Sequence, residues 1–487
     1  MSALMDTLPL ASLLAHHAAL KPSTVALSDE STALTWAELE SRTNRVARAL
    51  LAHGVQTDDL ISIALPNENA FLEACFACWK AGATPQPLSS RLPRAEMEAI
   101  IALAKPSIII ARPDLEIGRP TITYSDLLAA ESDDTPLPLV IASCFKAPTS
   151  GGSSGRPKLI LSGEPATIDV SIASAWRLGS EDVALIPGPL YHTGPFTTAI
   201  NAMAAGTKLV VQPRFDAEAV LEAIDRHKAS WLCLVPTMMN RIWKLDDAVK
   251  AKYDITSLKT MWHIAAPCPA WLKQVWIDWI GAGAVWELYG ATESIAGTVI
   301  DGTEWLAHRG SVGRVFSGQI KIFGDDGREL PPGETGEVFM RAAEEGQVTY
   351  RYVGAEANTR GEWHSLGDMG YFDAEGYLYL GDRRGDMILV GGSNVYPAEV
   401  EAAIEEHPDV QSCAVIGLPD DDLGARIHAI VQPRPGLPNL ALQEFVAERL
   451  VRYKQPRSYE FTDAPLRDAA GKVRRSRLRS ERIAAGE

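Results

Sequence analysis

Residues 60–65, Leu-Ile-Ser-Ile-Ala-Leu, lead within a few positions into residues 69–82, Asn-Ala-Phe-Leu-Glu-Ala-Cys-Phe-Ala-Cys-Trp-Lys-Ala-Gly. The first segment is a short apolar run of strand length, and the second has helix length and stops on a glycine. A short strand near Thr84 and a β-rich run at Ser107–Ala111 complete a strand–helix–strand unit. Upstream, Thr35-Trp36-Ala37-Glu38 has the form of a capping box, and the apolar spacing Leu39, Val46, Leu50 predicts a helix running to Gly54. Downstream, Lys208–Val211, Trp231–Val235 and Leu258–Ile264 are strand-like and separated by helix-length stretches. Alternation of this kind predicts an α/β fold, with parallel sheets carrying helices on their faces.

Near residue 311 the strands become short and turn-linked, as in Gln319–Phe323, Asp325-Asp326-Gly327 and Gly336–Arg341, with a second turn at Ala374-Glu375-Gly376. A small antiparallel sheet or barrel is expected there. After Gly381 alternation returns on a smaller scale: a helix from Pro397, strands near Val410–Leu418 and Arg426–Val431, and a helix from Leu440 that Asn439 could cap. The expected organisation is a large N-terminal domain, residues 1–382, and a small α+β C-terminal domain, residues 383–487.

The 487 residues carry 46 Lys+Arg against 62 Asp+Glu, a formal net charge of −16, which disfavours nucleic acid and anionic membranes as general partners. No apolar run reaches the ~18–20 residues that span a bilayer, and Met1–Leu20 lacks a basic n-region, so a cytoplasmic enzyme is expected. Six cysteines in a chain of this length do not make a disulfide framework. Cys75 and Cys78 form a CxxC without a second pair, and their place in a helix-like stretch reads as buried structural thiols. The ten histidines show no metal-ligand spacing.

The densest chemical signal is Thr149-Ser150-Gly151-Gly152-Ser153-Ser154-Gly155-Arg156-Pro157-Lys158, after a candidate strand at Leu139–Phe145. Glycines let backbone N–H groups approach an anion, and hydroxyls and Lys158 add donors, so the loop suits phosphates. A flexible Gly/Ser linker has a similar composition. Pro157 and Leu159 around Lys158 exclude a Walker A loop, and Trp286 stands where Gly281-Ala282-Gly283 would need a third glycine to open a dinucleotide fingerprint.

Further motifs are 287–293 (Glu-Leu-Tyr-Gly-Ala-Thr-Glu), 363–368 (Trp-His-Ser-Leu-Gly-Asp), 381–388 with 391–401, and 465–475 around Lys472. In this order and spacing, over essentially the whole chain, the sequence resembles the adenylate-forming (AMP-binding) superfamily: acyl-CoA synthetases, peptide-synthetase adenylation domains and luciferases. The resemblance implies that an acid and ATP form an acyl-adenylate with release of pyrophosphate, after which a thiol displaces AMP. It implies that loop 149–158 (Thr149, Ser150, Gly151, Gly152, Ser153, Ser154, Gly155 and Lys158 among it) holds the β- and γ-phosphates. Tyr289, beside Gly290, would stack on adenine, Thr292 would touch the α-phosphate, and Glu293 would bind Mg²⁺. Asp368, assisted by Arg383, would accept the ribose hydroxyls. Lys472 would bridge the substrate carboxylate and the α-phosphate. Gly391 and Gly392 would flank a pantetheine channel. Tyr191-His192 is similar to the family's aromatic-His segment beside the acyl pocket, with Val235 and Ala265-Ala266-Pro267 lining the acid and adenine pockets. The chain departs from the family with Ser150-Gly151-Gly152 in place of the more frequent Thr-Ser-Gly, with Leu159 after Pro157-Lys158, and with Gly385 at the pivot usually taken by Asp or Lys.

The expected function is therefore an ATP-, Mg²⁺- and CoA-dependent acid–CoA ligase acting on a small-molecule carboxylic acid. A stand-alone adenylation enzyme loading a carrier-protein thiol is the alternative. The acid classes left open are bulky cyclic (bile-acid- or steroid-like), aromatic and medium-chain aliphatic. Seven basic and two acidic residues lie between Arg467 and Arg482, which gives an acidic protein a cationic end around Lys472.

Overall fold

The computed structural model describes all residues except 1–6, 116, 152–156, 384, 391–392, 421–422, 435, 469–470 and 486–487. The capping box forms: Thr35 Oγ1 accepts from the Glu38 amide, Glu38 Oε2 accepts from the Thr35 amide, and the helix runs Trp36–Ala52. The strand–helix–strand unit forms as Leu60–Ala64, Asn69–Lys80 and Thr84–Pro87, with Leu60–Ala64 central in a three-stranded parallel sheet flanked by Thr84–Pro87 and Ile108–Ala111. Cys75 and Cys78 are fully buried on the Asn69–Lys80 helix, and burial pushes both thiols up, as expected of inert core residues.

Next to an antiparallel edge strand, Ala33–Thr35, the main sheet has six parallel strands in the order Val25–Ser28, Lys208–Val211, Val183–Ile186, Trp231–Leu234, Thr260–Ile264, Val285–Tyr289. The expected small antiparallel sheet forms, and its strands continue this same ladder. Gly297–Asp301 returns against Val285–Tyr289, and Ser311–Ser317, Leu378–Arg383, Trp363–Phe372, Gly336–Arg341 and Gln319–Phe323 follow in that order. The reason is local: the link 290–296 is too short for a crossover helix, so the next strand can only turn back.

The strands Ile388–Val390 and Ser393–Val395, the helix Pro397–Glu405 and the hairpin Val410–Asp420/Gly424–Pro433 bury a core of their own around Val395, Val400, Ile404 and Val415. The second small-domain helix spans Asn439–Ala447, one residue earlier than expected. Pro438 takes the N-cap position, and Asn439 Oδ1 accepts from Gln443 Nε2 rather than capping. No helix among the described residues is long and apolar enough to cross a membrane.

The basic C-terminal stretch is largely neutralised. Arg467 and Arg475 reach Glu401, with Arg467 also on Glu405 and Arg475 on Asp386, while Arg482 reaches Glu460 and Arg477 reaches Glu481. These arginines hold the small domain together, so the expected cationic surface for small polyanions narrows to the turn that carries Lys472.

Candidate active site

Several of the sequence-expected residues that the structure describes lie where open α/β sheets place ligands, beyond the carboxyl ends of the parallel strands. Val235 follows Trp231–Leu234, Ala265 follows Thr260–Ile264, and Tyr289 closes Val285–Tyr289. Ala265 has φ +73°, a left-handed conformation that a non-glycine residue adopts at a cost, so the turn through Ala266 and Pro267 leaves the strand sharply. Pro267 then lines a cavity of about 300 Å³ with Leu380, Gly381 and small-domain residues Tyr396, Ala398 and Glu399.

On one side of these strand ends, the Tyr289 hydroxyl donates to Asp368 Oδ2 at 2.7 Å. Asp368 and Arg383 stand opposite each other in the Trp363–Phe372/Leu378–Arg383 ladder. Gly290 and Thr292 lie half-buried on the loop that follows Tyr289, and Glu293 is buried at its end.

The ends of the 149–158 loop form a two-stranded register in which Thr149, Ser150 and Gly151 oppose Leu159, Lys158 and Pro157. Gly152, Ser153, Ser154 and Gly155 lie outside the described residues, as do Gly391 and Gly392. Lys158 Nζ is 3.6 Å from Glu293 Oε1 and 3.6 Å from the centre of the Tyr352 ring, and the Tyr352 hydroxyl donates to the same Oε1 at 2.5 Å. Lys158, expected to bind phosphate, and Glu293, expected to bind a metal, are thus brought together. Tyr352 was not among the expected residues. Its only local signal is the alternation Tyr350-Arg351-Tyr352-Val353, and its place depends on pairing with the distant strand Pro157–Ser162.

On the other side, His192 is the N-cap residue of the helix Thr193–Ala204. Burial and the positive charge of Lys472 hold its imidazole down to about 4, against the opposing pull of Asp468, so it is neutral near pH 7. Lys472 arrives on a turn in which the Gly471 amide donates to Asp468 O and the Lys472 amide to Asp468 Oδ1. Gly471, at φ +77°, lies so close to the large domain that an added Cβ would stand 2.7 Å from Thr237 Oγ1 and 3.4 Å from Val235 Cγ2. Glycine is required there twice over, for its backbone conformation and for the approach.

A further buried cation was not singled out from the sequence. Lys146 precedes the 149–158 loop and donates to Thr197 Oγ1 at 2.7 Å, on the helix Thr193–Ala204, and burial lowers its amine to about 7.

A family model described as AMP-binding enzyme matches residues 14–353, and one described as AMP-binding enzyme C-terminal domain matches 399–472, ending on Lys472. The chain belongs to the AMP-binding enzyme family. This AMP-binding enzyme is similar to a feruloyl-CoA synthase of Amycolatopsis, 32% identical over 486 residues that cover 95% of this chain and 96% of that protein. It is also similar to a fatty acid–[acyl-carrier-protein] ligase of Streptomyces coeruleorubidus, 29% identical over 494 residues covering 95% and 94% of the two chains. Among solved structures it resembles o-succinylbenzoate CoA synthetase of Bacillus subtilis in complex with its acyl-adenylate, with a TM-score of 0.82, 27% identity, and 97% and 98% of the two chains covered. The same synthetase in complex with ATP and magnesium gives a TM-score of 0.82 at 28% identity, covering 97% and 99%. The chain is an adenylate-forming ligase.

Proposed function

We propose that this AMP-binding enzyme is an ATP- and Mg²⁺-dependent acid–CoA ligase whose acid is aromatic. The observation that carries the reading is the seating of the Lys472 turn on Val235 and Thr237, beside His192 and across the strand ends from Tyr289 and Asp368.

The residues present fit the nucleotide and its metal. Glu293 offers a hard oxygen ligand, and its Oε2 takes no hydrogen bond from any described residue while Oε1 is held. Among the described residues no group of three or more acidic, His or Cys side chains forms a cage of its own. Magnesium commonly needs none, because it is bound through one or two carboxylates plus substrate phosphates. Magnesium would supply neutralisation of the phosphate charge. Lys158 and the 149–155 loop would hold the β- and γ-phosphates, Thr292 the α-phosphate, Tyr289 with Gly290 the adenine face, and Asp368 with Arg383 the ribose.

In the first half-reaction the acid's carboxylate attacks the α-phosphorus and pyrophosphate leaves. Two anions must meet, so repulsion dominates the barrier, and the Lys472 ammonium offsets it where charge builds up. Neutral His192 leaves the carboxylate's charge to Lys472 and borders the acyl group together with Val235, Ala265, Ala266 and Pro267. In the second half-reaction the CoA thiolate attacks the acyl carbonyl and AMP leaves. This requires the Lys472 turn to withdraw, with Gly385, exposed and with open space around it, as the pivot between residues 1–382 and 383–487, and Gly391 and Gly392 beside the incoming thiol arm.

Three features support an aromatic acid over a bulky steroid-like one. A Cβ at Gly194 would stand 2.5 Å from Ile264 Cδ1, so helix and strand approach closely next to His192 and leave a narrow space. Two residues back along their strands, Trp262 and Trp286 lie 5.3 Å apart on the face that packs against this helix. The most similar relatives named above include ligases of feruloyl and succinylbenzoate groups.

The carrier-protein reading keeps one supporting observation, the fatty acid–[acyl-carrier-protein] ligase among the relatives. A panel of aromatic, cyclic and aliphatic acids scored by pyrophosphate release, with CoA or a carrier protein as acceptor, tests the proposal. Aromatic acids should rank first and CoA should carry the product. Pyrophosphate release with aliphatic acids alone, or acyl transfer only to the carrier, would overturn it.

A further inference from the structure

Tyr352 occupies a position from which it touches both charges at the phosphate end of the site. Tyr350–Val353 pairs with Pro157–Ser162 in a register that sets Tyr352 opposite Ile160 and Tyr350 opposite Ser162. Strand alternation then puts Tyr350, Tyr352 and Lys158 on one face. The Tyr352 hydroxyl binds Glu293 Oε1 at 2.5 Å, within the range of a charge-assisted bond. Lys158 Nζ sits 3.6 Å from the ring centre, and its 3.6 Å separation from the same Oε1 is longer than a close ammonium–carboxylate contact. Behind it, the Tyr350 ring lies 4.7 Å away, and the Tyr350 hydroxyl is 2.8 Å from His364 Nδ1.

We propose that Tyr352 is a positioning residue for the magnesium–polyphosphate group: its hydroxyl commits one oxygen of Glu293 and leaves the other for the cation, while its ring holds Lys158 apart from that carboxylate. The inference rests on the assignment of Glu293 to the metal and Lys158 to the phosphates.

Without such a spacer, Lys158 and Glu293, both largely buried, would close into a tight ion pair that an incoming triphosphate must break. With it, the two charges stand separated before the ligand arrives, so ligand binding spends less on rearrangement.

The test is calorimetric titration of ATP into the full-length protein, with magnesium varied from none to saturation, on wild type, Tyr352→Phe, Tyr352→Leu and Glu293→Gln. Tyr352→Phe keeps the ring and removes the hydroxyl. It should raise the magnesium concentration needed for ATP binding about ten-fold and leave metal-free ATP affinity within about two-fold. Tyr352→Leu removes the ring as well and should also weaken metal-free binding about three-fold or more. A magnesium dependence in Tyr352→Phe identical to wild type would overturn the proposal. An equal loss with and without magnesium would too, since it would indicate a packing defect. Glu293→Gln separates this result from the parent assignment. If it too leaves the magnesium dependence unchanged, Glu293 is not the metal's ligand and both readings fall; if it alters that dependence while Tyr352→Phe does not, only the role of Tyr352 falls.

Discussion

Lys158 and Lys472, assigned to opposite ends of the same nucleotide, are held by two very different regions. Lys158 stands in a three-stranded ladder, with Ile160 two residues on in a core that includes Ile295, Val338 and Tyr350. Lys472 is exposed on a turn of the small domain. The contacts across the junction that brings it to the site include polar ones made by Lys244, Arg434 and Arg474. Lys244 donates to Glu405 O at 2.8 Å, to His407 O at 3.3 Å and to Val410 O, and Arg434 donates to Lys244 O. Arg474 pairs with Glu96 at 3.2 Å, both partly exposed. An exposed pair of that kind contributes about 0–1 kcal/mol, and each hydrogen bond about 1 kcal/mol net. Removing Lys158 from its place means opening a core, whereas withdrawing Lys472 breaks polar contacts of a kind that water can replace. On the proposed mechanism, the difference teaches which part of the site would stay fixed through both half-reactions and which part would leave.

The largest expected effect tests the mobile side. Lys472→Ala should slow pyrophosphate release from acid and ATP about 10²–10³-fold, the scale of losing one donor aimed at developing charge. Thiolation of a supplied acyl-adenylate should stay within a few-fold of wild type. Equal loss in both half-reactions would place Lys472 in the fixed part and break the comparison. On the fixed side, Asp368→Ala removes a carboxylate and unties Tyr289, and should weaken ATP use about ten-fold or more without reordering the acid panel. A changed acid ranking would move Asp368 out of the nucleotide half.

A smaller effect belongs to the junction. Lys244→Met keeps most of the side-chain volume and deletes the donor, so adenylation should fall about three- to ten-fold while thiolation holds or quickens. Single-turnover rates of the two half-reactions measure this, and a uniform fall in both would mean that Lys244 supports folding rather than the closed arrangement.

The smallest effect is the response to acid. His192 titrates at about 4 when buried beside Lys472, against an ordinary value of 6.5. Withdrawing the turn removes the Lys472 charge, so the withdrawn arrangement should take up this proton more readily than the seated one as pH falls from 6.5 toward 4, and stability of the seated arrangement should fall with it. Adenylation should decline over that window, and His192→Gln should flatten the decline in a pH–rate profile.

The residues proposed for the nucleotide half could be picked out before the fold was known, because they come as local runs: a glycine-rich loop, a strand end with its following loop, a strand carrying Asp368. Local runs suffice when one backbone turn places all the donors. Tyr352 was not legible, since its partners lie 59 residues away at Glu293 and across a ladder at Lys158. Lys244 was equally silent, because its acceptors are backbone carbonyls of a domain more than 160 residues further on. Where the expected antiparallel strands attach was hidden for a related reason. Sequence spacing shows that strands are short and turn-linked, but which edge they join is decided by the shortness of the 290–296 link.

By itself the sequence determined the alternation that makes a parallel sheet, the capping box at Thr35, the inert thiols at Cys75 and Cys78, and the family of the chemistry, since each depends on periodicity or on residues close along the chain. Only the tertiary structure decided that Lys158 and Glu293 share a tyrosine, that Gly471 must be glycine to seat Lys472 against Thr237, and that most of the C-terminal arginines are spent on carboxylates within the small domain. The physical reason is the same each time: a charge or a close approach is defined by what lies across from it, and that partner comes from another part of the chain.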